Sequence, residues 1–276
     1  MRKFRIIGMA FVAMLALGAM MVSSASAEVN SRPYFSNEKC VKVAKGAGHY
    51  SNSTCTTVSE GGEFELEALA AGGGGVTFTS KSGLSLLVTT SGATVECEAD
   101  TNTGKLTGPT TDEVTVTFTK CKTTIGGMNL VCGTKGAAAG TIVTNLLSSK
   151  LGFIKKGAPT EVGDSLSPKT PKTFATFECS LGGVTVATIE VGEGAGKGGD
   201  SVIGKITPLN TSTANYTLTF KCATAPPSGV QEFTKFEGGA LDVLESSTNG
   251  GAFERACEQS TDNLTLSVSN LEIVTT

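Results

Sequence analysis

The sequence predicts an all-β protein, either an antiparallel β-sandwich or an open barrel, stapled by disulfides and carrying a small N-terminal cysteine-loop module. Three observations lead to this prediction. From Val76 onward, Val, Thr, Ile and Phe recur with a period of two between runs of Gly, Asn, Asp and Pro. The chain contains eight cysteines. Beyond the first 27 residues the only helical signal is a short turn at 239–245.

The N-terminus has the three parts of a secretory signal peptide. It opens on basic residues, continues with an apolar run over 6–22, and closes on small residues at Ala25 and Ala27. An uncleaved anchor is the alternative, because the run approaches the length of the shortest membrane spans. We expect cleavage after Ala27, which predicts a secreted, extracellular protein with no membrane span once residues 1–27 are removed.

Charge and composition argue against nucleic acid as a partner. Removal of the signal peptide leaves 249 residues, and the loss of three basic side chains changes the formal net charge from −3 to −6. Arg32 and Arg255 are the only arginines that remain, and no run of lysines compensates for this. The electrostatic footprint of DNA or RNA binding is therefore missing. A chain of this length can still bury roughly three quarters of its unfolded surface in a core.

The cysteines favour a disulfide framework. Their number is even, the chain carries an export signal, and their wide spacing differs from the paired knuckles of zinc sites. Eight cysteines allow 105 pairings, but a strand pattern makes neighbours in sequence into neighbours in space. The predicted pairs are Cys40 with Cys55, Cys97 with Cys121, Cys132 with Cys179, and Cys222 with Cys257.

Composition divides the chain into three regions. Residues 1–27 form the signal peptide, and residues 28–75 form a polar N-terminal module that holds the Cys40–Cys55 loop and ends in a glycine run. Residues 76–276 fit one β-sandwich-like domain. A break near 192–200, where glycine recurs, would divide that domain in two.

Individual strands can be placed from the alternation. Over 114–119 apolar residues alternate with threonines, so one face of the strand is apolar and the other carries hydroxyls. The same pattern over 216–222 points Cys222 inward, and Cys179 points inward for the same reason. The Thr-Asn-Thr-Gly sequence at 101–104 predicts a hairpin turn.

Two motifs suggest catalysis or nucleotide binding, but each lacks a component. Residues 163–166 spell Gly-Asp-Ser-Leu, a signature of serine esterases, whose serine needs a histidine base. The sole histidine is His49, far upstream, so we interpret the match as coincidence in a proline-flanked loop. The glycine run at 192–199 resembles a phosphate-binding loop, but Val191 replaces its first glycine and Gly198 replaces its Ser or Thr. We interpret it as a flexible hairpin loop.

Carboxylates occur in two sequence patterns. Glu63, Glu65 and Glu67 alternate with apolar residues, and two such groups could act as acid and base in glycoside hydrolysis. Carboxylates on one face of an edge strand more often keep that edge soluble. Over 96–104, Glu, Asp, Asn and Gly stand at alternate positions as in calcium loops, but a closing carboxylate is missing and these residues are also common turn formers.

Three short stretches of the chain are similar to a known set of proteins. They are the cysteine loop with its Gly-Gly-Glu-Phe-Glu continuation over 40–65, residues 94–121, and residues 207–254 with Thr-Pro-Leu-Asn, Lys-Phe-Glu-Gly-Gly and Asn-Gly-Gly-Ala-Phe-Glu. In these stretches the chain resembles the uncharacterised, secreted, β-rich proteins that soil actinobacteria carry in many copies, a set without an assigned activity. The resemblance implies a bacterial, extracellular β-protein and implies nothing about mechanism.

Three functions remain open on the sequence alone. The first is a non-catalytic protein that binds or coats a cell-envelope component or another extracellular protein. The second is a secreted hydrolase of glycans or peptides, and the third is a self-assembling surface subunit joined through exposed strand edges. No catalytic set, cofactor site or metal site is assigned. The least unsuitable residues for hydrolysis are Glu63, Glu65, Glu96, Glu98 and Asp112.

Overall fold

Every element of regular structure is a β-strand. The computed structural model describes residues 33–36, 38–53, 55, 57–68, 75–192, 201–268 and 271–275. The prediction of an all-β, disulfide-stapled chain is confirmed. In chain order the strands are β1 (Tyr34–Phe35), β2 (Glu38–Lys42), β3 (Gly48–Tyr50), β4 (Val58–Gly62), β5 (Phe64–Ala68), β6 (Thr77–Ser82), β7 (Ser85–Thr89), β8 (Thr94–Cys97), β9 (Ala99–Gly108), β10 (Thr111–Thr119), β11 (Lys122–Ile125), β12 (Met128–Gly133), β13 (Ile142–Val143), β14 (Leu147–Lys155), β15 (Glu161–Pro168), β16 (Thr173–Leu181), β17 (Val184–Gly192), β18 (Val202–Thr207), β19 (Asn215–Phe220), β20 (Glu245–Thr248), β21 (Glu254–Leu266) and β22 (Ile273–Val274).

Eight of these strands close into an antiparallel barrel. The order around the wall is β6-β9-β10-β14-β15-β18-β19-β21, and β21 pairs back onto β6. The pairing of β19 with β21, from Asn215 opposite Thr265 to Phe220 opposite Ser260, completes the ring. Of the two predicted architectures the barrel is therefore the one that forms, and it is closed. Closure satisfies the backbone groups that the edge strands of an open sheet would expose.

A second ring of strands lies beyond one end of the barrel and shares one strand with it. It runs β7-β8-β11-β12-β16-β17-β20-β21, and β21 again pairs back, here onto β7. The 13-residue strand β21 belongs to both rings, because its residues 256–259 pair with β7 and residues 262–266 pair with β6. We call the level between the rings the junction, where 83–84 separates β6 from β7 and Glu98 separates β8 from β9.

Smaller sheets lie outside the two rings. The N-terminal strands form a four-stranded sheet in the order β2-β5-β3-β4. Strands β1 and β22 pair with each other, and the backbone N–H of Phe35 donates to the carbonyl of Pro109, next to the β9–β10 turn. Leu271 and Ile273 are fully buried there, which places an apolar cap at that end of the barrel.

The period-two pattern places apolar side chains inside as predicted. On β10 the buried residues are Asp112, Val114 and Val116, and the residues between them are only partly buried. The predicted turn at 101–104 is wrong, because those residues lie inside β9. The side chain of Asn102 is buried and hydrogen-bonded, and Gly104 lies against the ring of Phe78. Both residues thus belong to the barrel wall and do not form a turn.

Four disulfides join the same pairs that sequence proximity predicts: Cys40–Cys55, Cys97–Cys121, Cys132–Cys179 and Cys222–Cys257. The described chain contains no free cysteine. Such a framework suggests an oxidising, extracellular environment. The signal peptide, its cleavage after Ala27, the glycine run at 72–74 and residues 193–200 lie outside the described residues.

Candidate functional site

A cavity of about 120 Å³ lies inside the barrel and extends past the junction, where Val95 and Phe177 of the second ring also line it. Its wall is mostly apolar, and none of the described residues that line it is a lysine, an arginine or a histidine. The apolar lining includes Phe78 on β6, Val116 on β10, Leu147 on β14 and Leu218 on β19. An apolar cavity of roughly 150 Å³ accepts one molecule of benzene, so the space inside the barrel suits a ligand of similar size or smaller.

Carboxyl groups stand in the same inward rows as the apolar side chains. Asp112 precedes Val114 on β10, Asp164 precedes Leu166 on β15, and Asp262 precedes Leu264 on β21. The two-residue period of a strand turns each of these acids into the barrel. Burial of a charged carboxylate is costly unless it is paired, so these residues are unusual for a core.

The larger group lies at the junction and comprises three acids, Asp100, Glu258 and Asp262, together with the amide Asn102; we call it the junction cluster. Asn102 Nδ2 donates to Asp262 Oδ1 at 2.8 Å and also to Ser80 Oγ. Ser85 Oγ donates to Asp100 Oδ2 at 2.9 Å. Strands β9 and β21 carry these four residues on either side of β6, which pairs with both strands.

Several acceptor oxygens of the junction cluster have no hydrogen-bond partner among the described residues. They are Asp100 Oδ1, Asn102 Oδ1 and Glu258 Oε1. All three residues line the cavity. The nearby serine hydroxyls already donate to Asp100 or Asp262. The cluster thus offers more acceptors than its neighbours supply donors.

Burial and nearby negative charge raise the pKa values of two members of this cluster, Asp262 and Glu258. Burial raises the pKa of Asp262 to about 8, and the charge of Asp100 adds to the rise. Burial also raises the pKa of Glu258 well above the ordinary range, with the charges of Asp100 and Asp262 as further causes. Without a bound cation, Asp262 therefore holds its proton at neutral pH.

A second pair of acids, Asp112 and Asp164, lies toward the other end of the barrel. Ser149 Oγ donates to Asp112 Oδ2, and the Oδ1 atom of each aspartate has no partner among the described residues. Burial raises the pKa of Asp112 to about 6. Burial, followed by the charge of Asp112, raises the pKa of Asp164 well above its usual range. Two such neighbours share protons because both cannot ionise cheaply.

An open groove of about 660 Å³ lies beside Asp112, outside the interior cavity. One side of the groove is formed by residues 231–244, which we call the strap. Phe236 of the strap lies against Gly152, where an added Cβ would come within 2.5 Å of the phenyl ring. Ser148, Lys150 and Ser165 line the opposite side. Asp112 lines both this groove and the interior cavity.

The structure does not bring together the carboxylates considered for hydrolysis. Glu65 pairs with His49 in the N-terminal sheet, and Glu63 lies 3.7 Å from Lys42. Glu96 and Glu98 form ion pairs with Lys122 and Lys120, at 3.0 and 2.6 Å. Asp112 alone among the candidates is inside the barrel.

The oxygen-rich run at 96–104 is also divided. Asp100 and Asn102 are buried in the barrel, whereas Glu96 and Glu98 are partly or largely exposed and ion-paired. Among the described residues, no three His, Cys, Asp or Glu side chains are arranged to hold a metal ion.

The Gly-Asp-Ser-Leu sequence belongs to a strand and not to the predicted loop. It lies within β15, which follows Pro159 and ends at Pro168. Ser165 Oγ donates to Ser201 Oγ at 2.8 Å, whereas His49 is engaged with Glu65 in another sheet. The serine thus has no histidine partner, and Asp164 is the functionally interesting residue of the motif.

Sequence reasoning missed Glu258 and Asp262. Their one signal is a polar residue in the inward register of an alternating strand, as in the series Glu258, Ser260, Asp262, Leu264. This signal reveals burial, but not which other strands supply neighbours.

Comparison with protein-family models, with curated proteins and with solved structures finds no match. Among the described residues, no helix is long and apolar enough to cross a membrane.

Proposed function

We propose that the protein is a secreted binding protein that takes one small ligand inside its closed barrel. The observation that carries the proposal is the cavity of about 120 Å³, whose apolar wall meets acceptor oxygens left without partners. Eight-stranded barrels have an interior that either fills with side chains or holds one small ligand. A purely structural barrel would gain stability from apolar residues at these positions, so the retained acids favour recognition.

Secretion is part of the same proposal. The four disulfides and the predicted signal peptide agree on an oxidising location outside the cytoplasm. A coat formed through free strand edges has less support, because closure leaves the eight barrel strands without an edge.

The test is a titration of ¹⁵N-labelled mature protein with a library of small molecules, followed by NMR. Backbone signals of cavity-lining residues should shift in a saturable way. Val116→Phe, which fills the cavity, should abolish the shifts, whereas Thr117→Phe on the outer face of β10 should leave them unchanged. Val202→Phe replaces the first variant if its spectrum shows unfolding. Shifts confined to outer-surface residues would refute the proposal.

A second candidate function, a carboxylate-dependent hydrolase, is favoured by one observation. Asp112 lines the open groove and has a raised pKa close to that of a general acid at weakly acidic pH. The groove also contains the hydroxyls of Ser148 and Ser165 and the carboxyl group of Asp242. Turnover in a glycan and peptide screen that Asp112→Asn abolishes would support this function, and absence of turnover across the screen would remove it.

A further inference from the structure

The chemistry of the junction cluster indicates which ligand the barrel takes. The side chain of Asn102 is only 8% exposed, its Nδ2 donates two hydrogen bonds, and its Oδ1 accepts none from the described residues. Asp100 and Glu258 add an unpartnered oxygen each. An unsatisfied buried acceptor destabilises the protein, so a ligand that brings hydrogen-bond donors removes that cost at three atoms.

Charge restricts the ligand further. Asp100 and Asp262 lie at one level of the barrel, on either side of Ser82. Glu258 lines the same cavity, and no described basic side chain lines it with them. A cation that enters the cavity favours the ionised form of these carboxyl groups. It then meets negative charge without a basic side chain in a low-dielectric interior, where charge-assisted hydrogen bonds are strongest.

Geometry and size separate an organic cation from a metal ion. Among the described residues the carboxyl groups do not converge in threes as metal ligands do. An organic cation binds through N–H hydrogen bonds. The oxygens that accept them can therefore lie further apart than the ligands of a metal ion. Beside the cluster, Phe78, Leu87, Val95 and Leu264 provide apolar wall within the same space of about 120 Å³, which limits the ligand to about six non-hydrogen atoms, the size of benzene.

We infer that the junction cluster binds the ammonium group of a small organic amine, whose hydrocarbon part lies against the apolar wall. The inference rests on the proposed function, since it names the ligand class of the same cavity. Asp100, Glu258 and Asp262 supply the negative charge, and Asn102 Oδ1 accepts one ammonium hydrogen.

A route to this site lies at the junction. An outer groove of about 480 Å³ is formed by the exposed residues 83–84 together with residues of β19 and β21. Phe220 and Ser260 line both this groove and the interior cavity. Movement of these two side chains would connect the junction cluster to solvent without opening the barrel ring.

The test compares n-butylammonium chloride with 1-butanol, a neutral molecule of the same size, by NMR titration of the mature protein at pH 8. n-Butylammonium should bind at least about ten times more tightly, since it forms charge-assisted hydrogen bonds. Asp262→Asn should remove that advantage. Glu161→Gln is the matched control, because Glu161 pairs with Lys205 and does not line the cavity, and it should change affinity by less than about threefold.

The outcomes separate the inference from the proposed function. Equal binding of 1-butanol and n-butylammonium would overturn the amine assignment and leave interior binding intact. Binding of neither probe inside the barrel would count against both. Shifts of Asp100 and Asn102 with calcium chloride but not with n-butylammonium would assign the cluster to a metal ion instead. Thermal unfolding of Asp262→Asn checks that a loss of binding is not a loss of fold.

Discussion

Asn102 Nδ2 donates a hydrogen bond of 2.8 Å to Oδ1 of Asp262, a residue 160 positions further along the chain. The bond joins β9 to β21 across Ser80 of the intervening strand β6. It satisfies one oxygen of a carboxyl group that the barrel has removed from water. The amide is therefore needed as a donor, and a residue of equal size without one should not replace it.

Asn102→Asp should destabilise the protein. The change removes the donor to Asp262 and adds a further carboxyl group to the cluster, and loss of a buried partner costs about 1–3 kcal/mol. Urea unfolding at pH 7 measures the effect. Thr103→Asp, one residue along β9 on the exposed face, is the control and should change the free energy of unfolding by less than about 0.5 kcal/mol. Equal effects of the two variants would contradict this role of the amide.

Stability should fall as pH rises from about 4.5 to 8. The folded-state pKa values of Asp112, about 6, and Asp262, about 8, lie above those of unfolded carboxyl groups, which are about 4. The native state thus binds more protons than the unfolded state in this window, and the stability present below pH 4 is lost as each folded pKa is passed. The melting temperature, measured by calorimetry, should be higher at pH 4.5 than at pH 8.

Ion-paired acids outside the barrel interior determine the pH below which stability falls again. Hydrogen bonds from Lys120 and Lys205 lower the pKa values of Glu98 and Glu161. Their contribution is present above the ordinary carboxyl pKa and disappears as pH falls below it. We therefore expect the maximum of stability near pH 4 to 5. A melting temperature that rises steadily toward pH 8 would show that the interior acids do not keep their protons.

Asp112→Asn should stabilise the protein at pH 8 and have little effect at pH 4. The substitution removes a carboxyl group that is costly to ionise inside the barrel, and asparagine can still accept from Ser149. We expect a gain of about 1 kcal/mol or more in the free energy of unfolding at pH 8. The control is the adjacent Glu113→Gln, which breaks ion pairs with Lys105 and Lys169 and should not stabilise the protein at pH 8.

Gly104→Ala should destabilise the barrel through overpacking. A Cβ at this position would lie 2.2 Å from Cζ of Phe78 and 2.5 Å from the carbonyl oxygen of Glu113. Relief of such contacts in a packed interior costs about 1–3 kcal/mol. Gly83→Ala, where nothing lies within 4 Å of the added atom, should be close to neutral. Denaturant unfolding of the two variants decides between a packing role for Gly104 and a general preference for glycine.

The sequence predicts the strand content well because the period-two pattern is local. Val114 and Val116 reveal their face from their neighbours alone, and cysteines such as Cys97 and Cys121 lie close enough in sequence to predict a bridge. Ring closure could not be predicted, since it depends on β21 pairing with β6, which lies at the far end of the barrel segment.

The junction cluster could not be predicted from the sequence for the same reason. Asp100 and Asn102 are visible as polar residues in the sequence, but turn formation explains them equally well. Their place in a cluster follows only once β21 brings Asp262 beside them and Glu258 into the same cavity. The site is thus a property of the closed ring and not of any one segment.

The central claim is that the closed barrel holds ligand-sized space among its apolar rows. Crystals of residues 28–276 under xenon pressure test this directly, because xenon enters apolar cavities and scatters strongly. We expect xenon density inside the barrel, in contact with Val116, Leu147 and Leu218. Xenon found only in the outer groove beside Phe236, or nowhere in the protein, would contradict the claim.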